Sequence, residues 1–520
     1  MIEKKKSEIF LLIFFVLFYA AILVRTAWVS DDAFITFRTV DNFINGYGPT
    51  YNISHRVQAY THPLWMFLLS FYYFFTNEIF YSSMFISILI SLIAVILYSV
   101  RIAKSVLMAL LGVLALSLSK AFVDYSTSGL ENPLAYFALA IFFIIYFSPK
   151  NSSRKIFFVS LSASLVALVR LDLFLICLPA LIFSIFFEKN PKRLSGVVLG
   201  FSPLIAWEIF SIIYYGFPFP NTAYAKLNTG ISQAELIRQG FFYLLNSINK
   251  DHITVLVIMT GIAIPVITKK KRQIPLAFGI TLYLVYIVKI GGDFMSGRFL
   301  AVLVFCAVAL ISQLGLNSFR VLFPAFVLVI GIGLTSPNPT FRSDSGYMNR
   351  KIDKSGIADE RGYYYQYTGL LKAGRYLELP RYIWKDRGMR ACLEQKKLVK
   401  SDVIGMLGFY AGPQVHILDA NALADPFLAR LPAIYDPKWR TGHFRRHIPR
   451  GYAATLRSGK NVIKDKNLAM LYDQLSVITQ GRLFRPLKPF LSIFCGMSKV
   501  TALPPIALFS EINIKVYVVE

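Results

Sequence analysis

Long apolar runs separated by short polar segments fill residues 1–336, whereas residues 337–520 mix apolar and polar positions. A transmembrane helix needs roughly 20 apolar residues, within a range of about 17–25. Shorter runs imply that a helix tilts less or that the bilayer thins locally. Eleven runs predict eleven transmembrane helices, at residues 9–29, 79–100, 105–120, 133–147, 156–169, 173–187, 194–215, 252–268, 274–289, 299–314 and 320–336.

This change of pattern predicts two domains. Residues 1–336 are expected to form a polytopic α-helical membrane domain, with a polar first loop over residues 30–62. Residues 337–520 are expected to form a soluble C-terminal domain of mixed α/β structure, about 180 residues long and so of ordinary domain size. The proline-containing segment at residues 336–339 fits a linker between them.

The charged residues predict the orientation of the helices, because Lys and Arg collect on the cytoplasmic side of a membrane. One side receives Lys4, Lys5, Lys6, Arg101, Lys104, Lys150, Arg154, Lys155, Lys189, Lys192, Arg193, Lys269 to Arg272 and Arg320. The other receives Asp31, Asp32, Asp41, Asp124, Glu131, Asp172, Asp251 and Asp293. With eleven spans, residues 337–520 face the periplasm from a bacterial inner membrane. This requires that Pro63–Phe75 is a half-helix or interfacial helix, because a further span there would reverse every later loop.

Composition agrees with a membrane protein. Hydrophobic residues make up 55% of the chain and charged residues only 16%, which excludes fibrous, disordered and small disulfide-rich classes. The net charge of +26 suits anionic headgroups and phosphates, and in this setting we expect no nucleic-acid partner. Cys392 and Cys495 allow either a disulfide in an oxidising compartment or two buried thiols.

Candidate chemistry begins in the first external loop with the adjacent acids Asp31 and Asp32. Mutual repulsion tends to raise the pKa of one of two neighbouring carboxyls, which suits a general base. The alternative is a helix N-cap followed by a first-turn acid. The same loop carries four further candidates: Arg38, Arg56, Tyr60 and His62. His62 suits a phosphate contact or a metal site, although a structural hydrogen bond remains the alternative.

Four other short loops on the predicted external side carry polar residues between apolar runs. They contribute Glu131, Arg170, Asp172, Asn221, Lys226, Asp293 and Arg298. Cations at a membrane interface suit a lipid-linked phosphate through charge-assisted hydrogen bonds. The Arg170–Asp172 and Asp293–Arg298 pairs have the alternative of structural ion pairs. Since no nucleotide-binding motif occurs, any sugar donor must already be carried to the outer face, as a polyprenyl phosphate would be.

The chain resembles the GT-C glycosyltransferases that use polyprenyl-phosphate sugars. Within them it is most similar to the group of mycobacterial terminal β-arabinofuranosyltransferases and the arabinofuranosyltransferases that modify type IV pilins in Pseudomonas. The matching segments are residues 31–38, 56–65, 128–132, 221–226, 291–299, 423–432 and 439–444. The chain departs from the group at Leu171, where a proline is common, and at His62, where an asparagine is common.

The resemblance implies a catalytic carboxylate at Asp31 or Asp32, with Asp31 favoured. It implies that the remaining polar loop residues bind donor or substrate, and it leaves a divalent cation open, with no metal ligand assigned. The implied donor is a polyprenyl-phosphate sugar, arabinofuranose or another such as mannose. The acceptor is a cell-envelope glycan or a pilin-like protein. A transporter or flippase of a lipid-linked glycan is the competing hypothesis; transporters usually show paired halves, and none is visible here.

Overall fold

The computed structural model describes residues 2–149, 154–187, 193–227, 229–343, 352–374, 378–481 and 483. These residues are mostly helical. Four residues used in the sequence predictions, Lys150, Lys189, Lys192 and Cys495, lie outside the described residues, as does the end of the predicted C-terminal domain.

Twenty-two α-helices and two strands follow one another along the described chain. The helices up to the fourth loop are α1 Ile2–Thr26, α2 Ala33–Ile44, α3 Pro63–Thr76, α4 Phe80–Leu97, α5 Val106–Leu118, α6 Lys120–Asp124, α7 Asn132–Phe147, α8 Lys155–Val169, α9 Phe174–Phe187, α10 Arg193–Gly200 and α11 Ser202–Tyr214. The later elements are α12 Asn221–Leu227, α13 Gln233–Lys250, α14 His252–Ile267, α15 Ile274–Lys289, α16 Arg298–Ile311, α17 Phe319–Thr335, α18 Glu360–Thr368, α19 Ile383–Leu393, β1 Leu398–Ser401, α20 Gly405–Ala411, β2 His416–Asp419, α21 Tyr452–Ser458 and α22 Lys466–Thr479.

Every one of the eleven apolar runs is helical, and local signals fix where several helices begin. The Ser105 hydroxyl accepts a hydrogen bond from the Met108 amide at the start of α5. Asp251 does the same for Thr254 at the start of α14. Such caps satisfy amide groups that have no partner within the helix. The segment at 63–75, predicted as a half-helix or interfacial helix, is the 14-residue helix α3 with Pro63 in its first turn.

Apart from α3, two helices of more than ten residues within 1–336 lie where the sequence predicted no apolar span. Helix α2 fills part of the first loop, and α13 precedes α14. Helices α13 and α14 meet at Asp251 with a bend of 114°. Both unpredicted helices mix polar and apolar residues, so a search for long apolar runs passes over them.

By length and composition, two of the described helical segments are suited to crossing a membrane, Ser7–Thr26 and Phe80–Ile102. The number rises to four if α10 with α11, and α13 with α14, each count as one bent span. The other apolar helices are 10–17 residues long. The eleven spans therefore remain a prediction.

The bundle is built around α5 and α16. Nearly every side chain of both helices is buried, from Leu107 to Leu118 and from Leu300 to Leu310. Helices α1, α10 and α17 lie outside and expose large apolar side chains such as Phe10, Leu194 and Val321. Exposed apolar surface of this extent is typical of a face that contacts lipid.

Beyond α17, the chain folds back over one end of the bundle. Strands β1 and β2 pair in parallel, with Leu398 opposite His416, and α20 connects them. Apolar residues of this region share cores with the first part of the chain: Leu407 and Ile417 pack in one cluster with Ile35 and Tyr51. Phe427 belongs to another cluster that includes Phe217 and Ala225, which follow α11 in the external loop that contains α12. Residues on both sides of the predicted domain boundary thus bury the same surfaces.

A buried ionic network ties α6 to the start of α18. Lys120 contacts Asp124 on its own helix, and its Nζ lies 3.1 Å from Asp359 Oδ2. The Arg361 guanidinium contacts the other oxygen of Asp124, and Asp359 caps α18 by accepting from the Gly362 amide at 2.9 Å. All four charged side chains are buried. Removing one partner of a buried pair leaves an uncompensated charge, which is strongly destabilising.

We expect Arg361→Ala to lower the free energy of unfolding by about 3–5 kcal/mol, since Asp124 loses a buried cation. Arg390→Ala removes an exposed cation of α19 and is the matched control, with an unchanged unfolding midpoint expected. Unfolding of the purified protein in detergent measures both. Equal midpoints for the two variants would show that the network contributes little to stability.

Candidate functional site

Glu131 is the centre of the cluster of predicted site residues. It lies at the start of α7, its side chain is fully buried, and three other segments contact its carboxylate. Arg170 Nη1 lies 3.2 Å from Oε1, and Arg298 Nη2 lies 3.3 Å from the same oxygen. Burial would raise the pKa of Glu131, but Arg298, together with His62 and Arg170, outweighs it and lowers the pKa to about 2. Glu131 is therefore an anion at neutral pH.

His62 contacts the other oxygen of Glu131. Its Nδ1 lies 3.2 Å from Glu131 Oε2, and its Nε2 lies 2.7 Å from the Thr36 hydroxyl on α2. Burial lowers the pKa of His62 to about 4, so the ring is neutral at pH 7. A neutral imidazole protonated on Nδ1 donates to the carboxylate and accepts from threonine. His62 thus joins the first loop to Glu131, as the structural alternative predicted.

Both arginines of the cluster have a second carboxylate. Arg170 forms a bidentate pair with Asp172, with Nε 3.0 Å from Oδ1, and its guanidinium stacks on the Phe299 ring at 4.4 Å. Arg298 Nη1 lies 3.5 Å from Asp293 Oδ2. Five predicted residues, Glu131, Arg170, Asp172, Asp293 and Arg298, therefore meet His62 in one buried network.

Asp31 is held by the region that follows α17. Its Oδ1 accepts from the Met406 amide at 2.9 Å, at the start of α20. The approach is so close that a Cβ on Gly405 would collide with Asp31. Burial, opposed by these backbone hydrogen bonds and reinforced by Asp32, raises the pKa of Asp31 to about 7. The carboxyl of Asp31 is therefore occupied in docking α20.

Asp32 is placed differently, although it is the next residue. It occupies the N-cap position of α2, yet its side chain makes no capping hydrogen bond. Among the described residues no hydrogen bond or ion pair to its half-buried carboxylate is formed. Burial raises its pKa, and the charges that act on it are Arg298, Lys226, Asp293 and Arg440. Asp32 thus keeps a free carboxylate within the electrostatic reach of three cations and one acid.

Three residues that the sequence did not single out as site residues come from the region after α17: Glu360, Arg440 and His443. Arg440 Nη2 lies 3.7 Å from Glu360 Oε1, and the guanidinium lies over the Phe294 ring at 5.0 Å. His443 packs edge-to-face on the same ring, and burial lowers its pKa to about 4. Lys226 is exposed beside Gly442 in the neighbouring turn. Arg440 and His443 lie in segment 439–444, one of the segments on which the resemblance was based. Glu360 lies in none of those segments, so no sequence motif identifies it.

Four predicted residues lie outside this network; three of them bind backbone groups and Tyr60 binds a side chain. Arg38 donates to the carbonyls of Tyr51, Gly408 and Val415, and so holds α20 from the end opposite Asp31. Arg56 donates to Tyr214 and Ile478, Asn221 to Ala422 and Leu423, and Tyr60 pairs with the Tyr215 hydroxyl. Their contacts connect segments of the fold.

An apolar cavity of about 290 Å³ lies between α3, α8 and α11. Two of its lining residues are close in sequence to the ionic network: Pro63 follows His62, and Leu168 precedes Arg170 by two positions. Its lining is Pro63, Leu64, Phe67, Leu168, Pro203, Ala206, Trp207 and Phe210. Within the described ranges, no three His, Cys, Asp or Glu residues are grouped so as to hold a metal ion.

We expect Glu131→Gln to destabilise the protein by about 3–5 kcal/mol at pH 7, because two buried guanidinium groups lose a shared anion. The carboxyl has a folded pKa near 2 and an ordinary value of 4.5, so its stabilising contribution is complete above pH 4.5. The stability difference between wild type and variant should shrink as the pH falls from 4.5 toward 2. Unfolding in detergent across this range measures it, with the exposed Glu394→Gln as control.

Comparison with known proteins agrees with the sequence motifs. The chain is 28% identical over 417 residues to the terminal β-(1→2)-arabinofuranosyltransferase of Mycobacterium tuberculosis, covering 68% of this chain and 65% of that protein. It is 25% identical over 334 residues to the protein of the same name from Corynebacterium glutamicum, covering 56% and 48%. The chain thus spans less than two thirds of either relative. No family model matches, and no solved structure matches significantly. The predicted resemblance to the mycobacterial terminal arabinofuranosyltransferases is confirmed.

Proposed function

We propose that the protein is an integral-membrane glycosyltransferase that moves arabinofuranose from a polyprenyl-phosphate donor to an acceptor at the periplasmic face. The observation that carries this proposal is the free carboxylate of Asp32. It lies in the first loop after the first apolar helix, and the charges of Arg298, Lys226 and Arg440 act on it through space. A base beside several cations suits the attack of a hydroxyl on a sugar whose leaving group is a phosphate.

In the proposed reaction Asp32 acts as the base, and the cations stabilise the departing phosphate. Asp32 takes the proton of the acceptor hydroxyl as its oxygen bonds to the anomeric carbon. The bond from that carbon to the phosphate oxygen breaks, and the electron pair leaves with the polyprenyl phosphate. Since burial raises the pKa of Asp32, its carboxylate is a stronger base than an exposed aspartate.

The donor phosphate is expected to contact Lys226. Arg170 is already paired with Glu131 and Asp172, whereas Lys226 is exposed. A charge-assisted hydrogen bond to the phosphate would satisfy its ammonium group. The apolar cavity between α3, α8 and α11 lies beside the same network and suits the first isoprenoid units of the lipid.

Arabinofuranose and a glycan acceptor are favoured because both relatives are named as terminal β-(1→2)-arabinofuranosyltransferases. Mannose as the sugar and a pilin-like protein as the acceptor remain alternatives that the assay below distinguishes. The flippase alternative requires that a lipid-linked glycan crosses the bilayer unchanged, and no contact described above favours it.

We expect Asp32→Asn to reduce sugar transfer by about 10²–10⁴-fold, because it removes a positioned base. Asp31→Asn is the matched control: its amide oxygen can still accept from the Met406 amide, so transfer within about tenfold of wild type is expected. The assay uses purified full-length protein, polyprenyl-phosphate arabinofuranose and candidate acceptors. Near-normal activity in Asp32→Asn, at equal protein levels, would refute the role of this residue; wild-type protein without transfer to any acceptor would refute the function.

The position of residues 337–520 gives a separate prediction. A reporter that is active only in the periplasm, fused after Glu520, should be active. A reporter active only in the cytoplasm, fused at the same point, should be silent. The reverse pattern would place the carboxylates of the first loop on the cytoplasmic side and rule out the proposed donor orientation.

A further inference from the structure

Glu360 is a buried acid that the proposed reaction does not yet use. It is the first residue of α18, and only 9% of its surface is exposed. No hydrogen bond to its carboxylate is formed among the described residues, and the Arg440 guanidinium lies 3.7 Å away. Burial raises the pKa of Glu360 to about 8, so at pH 7 the group is mostly a neutral carboxyl, which can both donate and accept a hydrogen bond.

The neighbours of Glu360 fix its direction. Asp359 and Arg361, on either side, are both anchored in the buried network with Lys120 and Asp124. Their backbone is fixed as well, because Ala358 exchanges hydrogen bonds with Phe294 and Ser296 in the loop that leads to Arg298. Glu360 is therefore held in place by its two neighbours, Asp359 and Arg361, whose side chains are bound in the buried network.

Glu360 contacts Arg440, whose guanidinium lies over the ring of Phe294, the residue after Asp293, so Glu360 lies beside the proposed site. Among the described residues, three polar atoms there are buried and make no hydrogen bond: Asp293 Oδ2, Arg298 Nε and Arg440 Nη2. The first and the last make only the long ion-pair contacts given above. Each is suited to a ligand with several hydroxyl groups, because such a ligand both donates to carboxylates and accepts from guanidinium groups.

We propose that Glu360 and Arg440 form the acceptor subsite, where Glu360 hydrogen-bonds a hydroxyl of the acceptor sugar next to the one that Asp32 deprotonates. The inference rests on the proposed transferase activity. It assigns the acceptor to the region after α17 and the donor lipid to the apolar cavity between α3, α8 and α11.

The test compares acceptor and donor kinetics in variants of Glu360, using the full-length protein and a synthetic arabinofuranosyl disaccharide as acceptor. Glu360→Ala should raise the KM for the disaccharide about tenfold or more, the loss typical of one hydrogen bond to a buried carboxyl. The KM for the donor should change less than twofold. Glu360→Gln keeps the shape and one acceptor oxygen, so it should recover most of the affinity.

A second variant keeps the test decisive if Glu360→Ala fails to fold. Glu360→Asp retains the carboxyl group but withdraws it by one methylene, and a several-fold higher acceptor KM is expected. Glu378→Ala removes an exposed acid of the same region and should change neither KM. An unchanged acceptor KM in Glu360→Asp and Glu360→Ala, or equal changes for donor and acceptor, would overturn the subsite. If the wild-type protein showed no transfer at all, the proposed transferase activity itself would be rejected.

Discussion

Glu131 has no exposed surface, and a carboxylate buried so completely must be neutralised by groups from elsewhere in the chain. Those groups are His62, Arg170 and Arg298, which stand at the starts or ends of three other helices. The loops that follow α2, α8 and α15 are therefore fixed relative to α7 by one ionic centre. Replacing either arginine with an apolar residue would leave charge uncompensated, and replacing His62 would leave one carboxylate oxygen without its hydrogen bond. A change in one of these loops therefore requires a compensating change in another.

Charges in this protein fall into two groups with different consequences. The side chains around Glu131 and around Asp124 are paired with each other, and they hold helices in place. Asp32, Lys226, Glu360 and Arg440 lie close to the first group, but their polar atoms are incompletely paired among the described residues. Full pairing gives a rigid scaffold, and incomplete pairing leaves atoms that a ligand can satisfy. The stability of the fully paired scaffold offsets the free energy needed to hold the second group of charges at the site.

The sequence predicted a good part of this, for identifiable reasons. An apolar run is enough to form a helix in a nonpolar setting, so all eleven predicted runs are helical, whereas the mixed composition of α2 and α13 concealed them. Short polar loops on one predicted side located Glu131, Arg170 and Arg298. The spacing of Asp31 and Asp32 could not separate their roles, because the difference arises from α20, which begins more than 370 residues later. Glu360 was missed for the same reason: its neighbours in space are distant in sequence, and no local pattern marks it.

The hold of Asp31 and Arg38 on α20 has a consequence for biosynthesis. The two residues contact Met406 and Gly408, which are separated from them by 375 and 370 positions along the chain. At about 5–20 residues per second, roughly 20–75 seconds pass between synthesis of the first loop and arrival of its partner. Throughout that interval the aspartate and arginine, together with the apolar residues Ile35 and Tyr51, lack the surfaces that later bury them. The nascent first loop must therefore be kept from other partners until α20 has been synthesised.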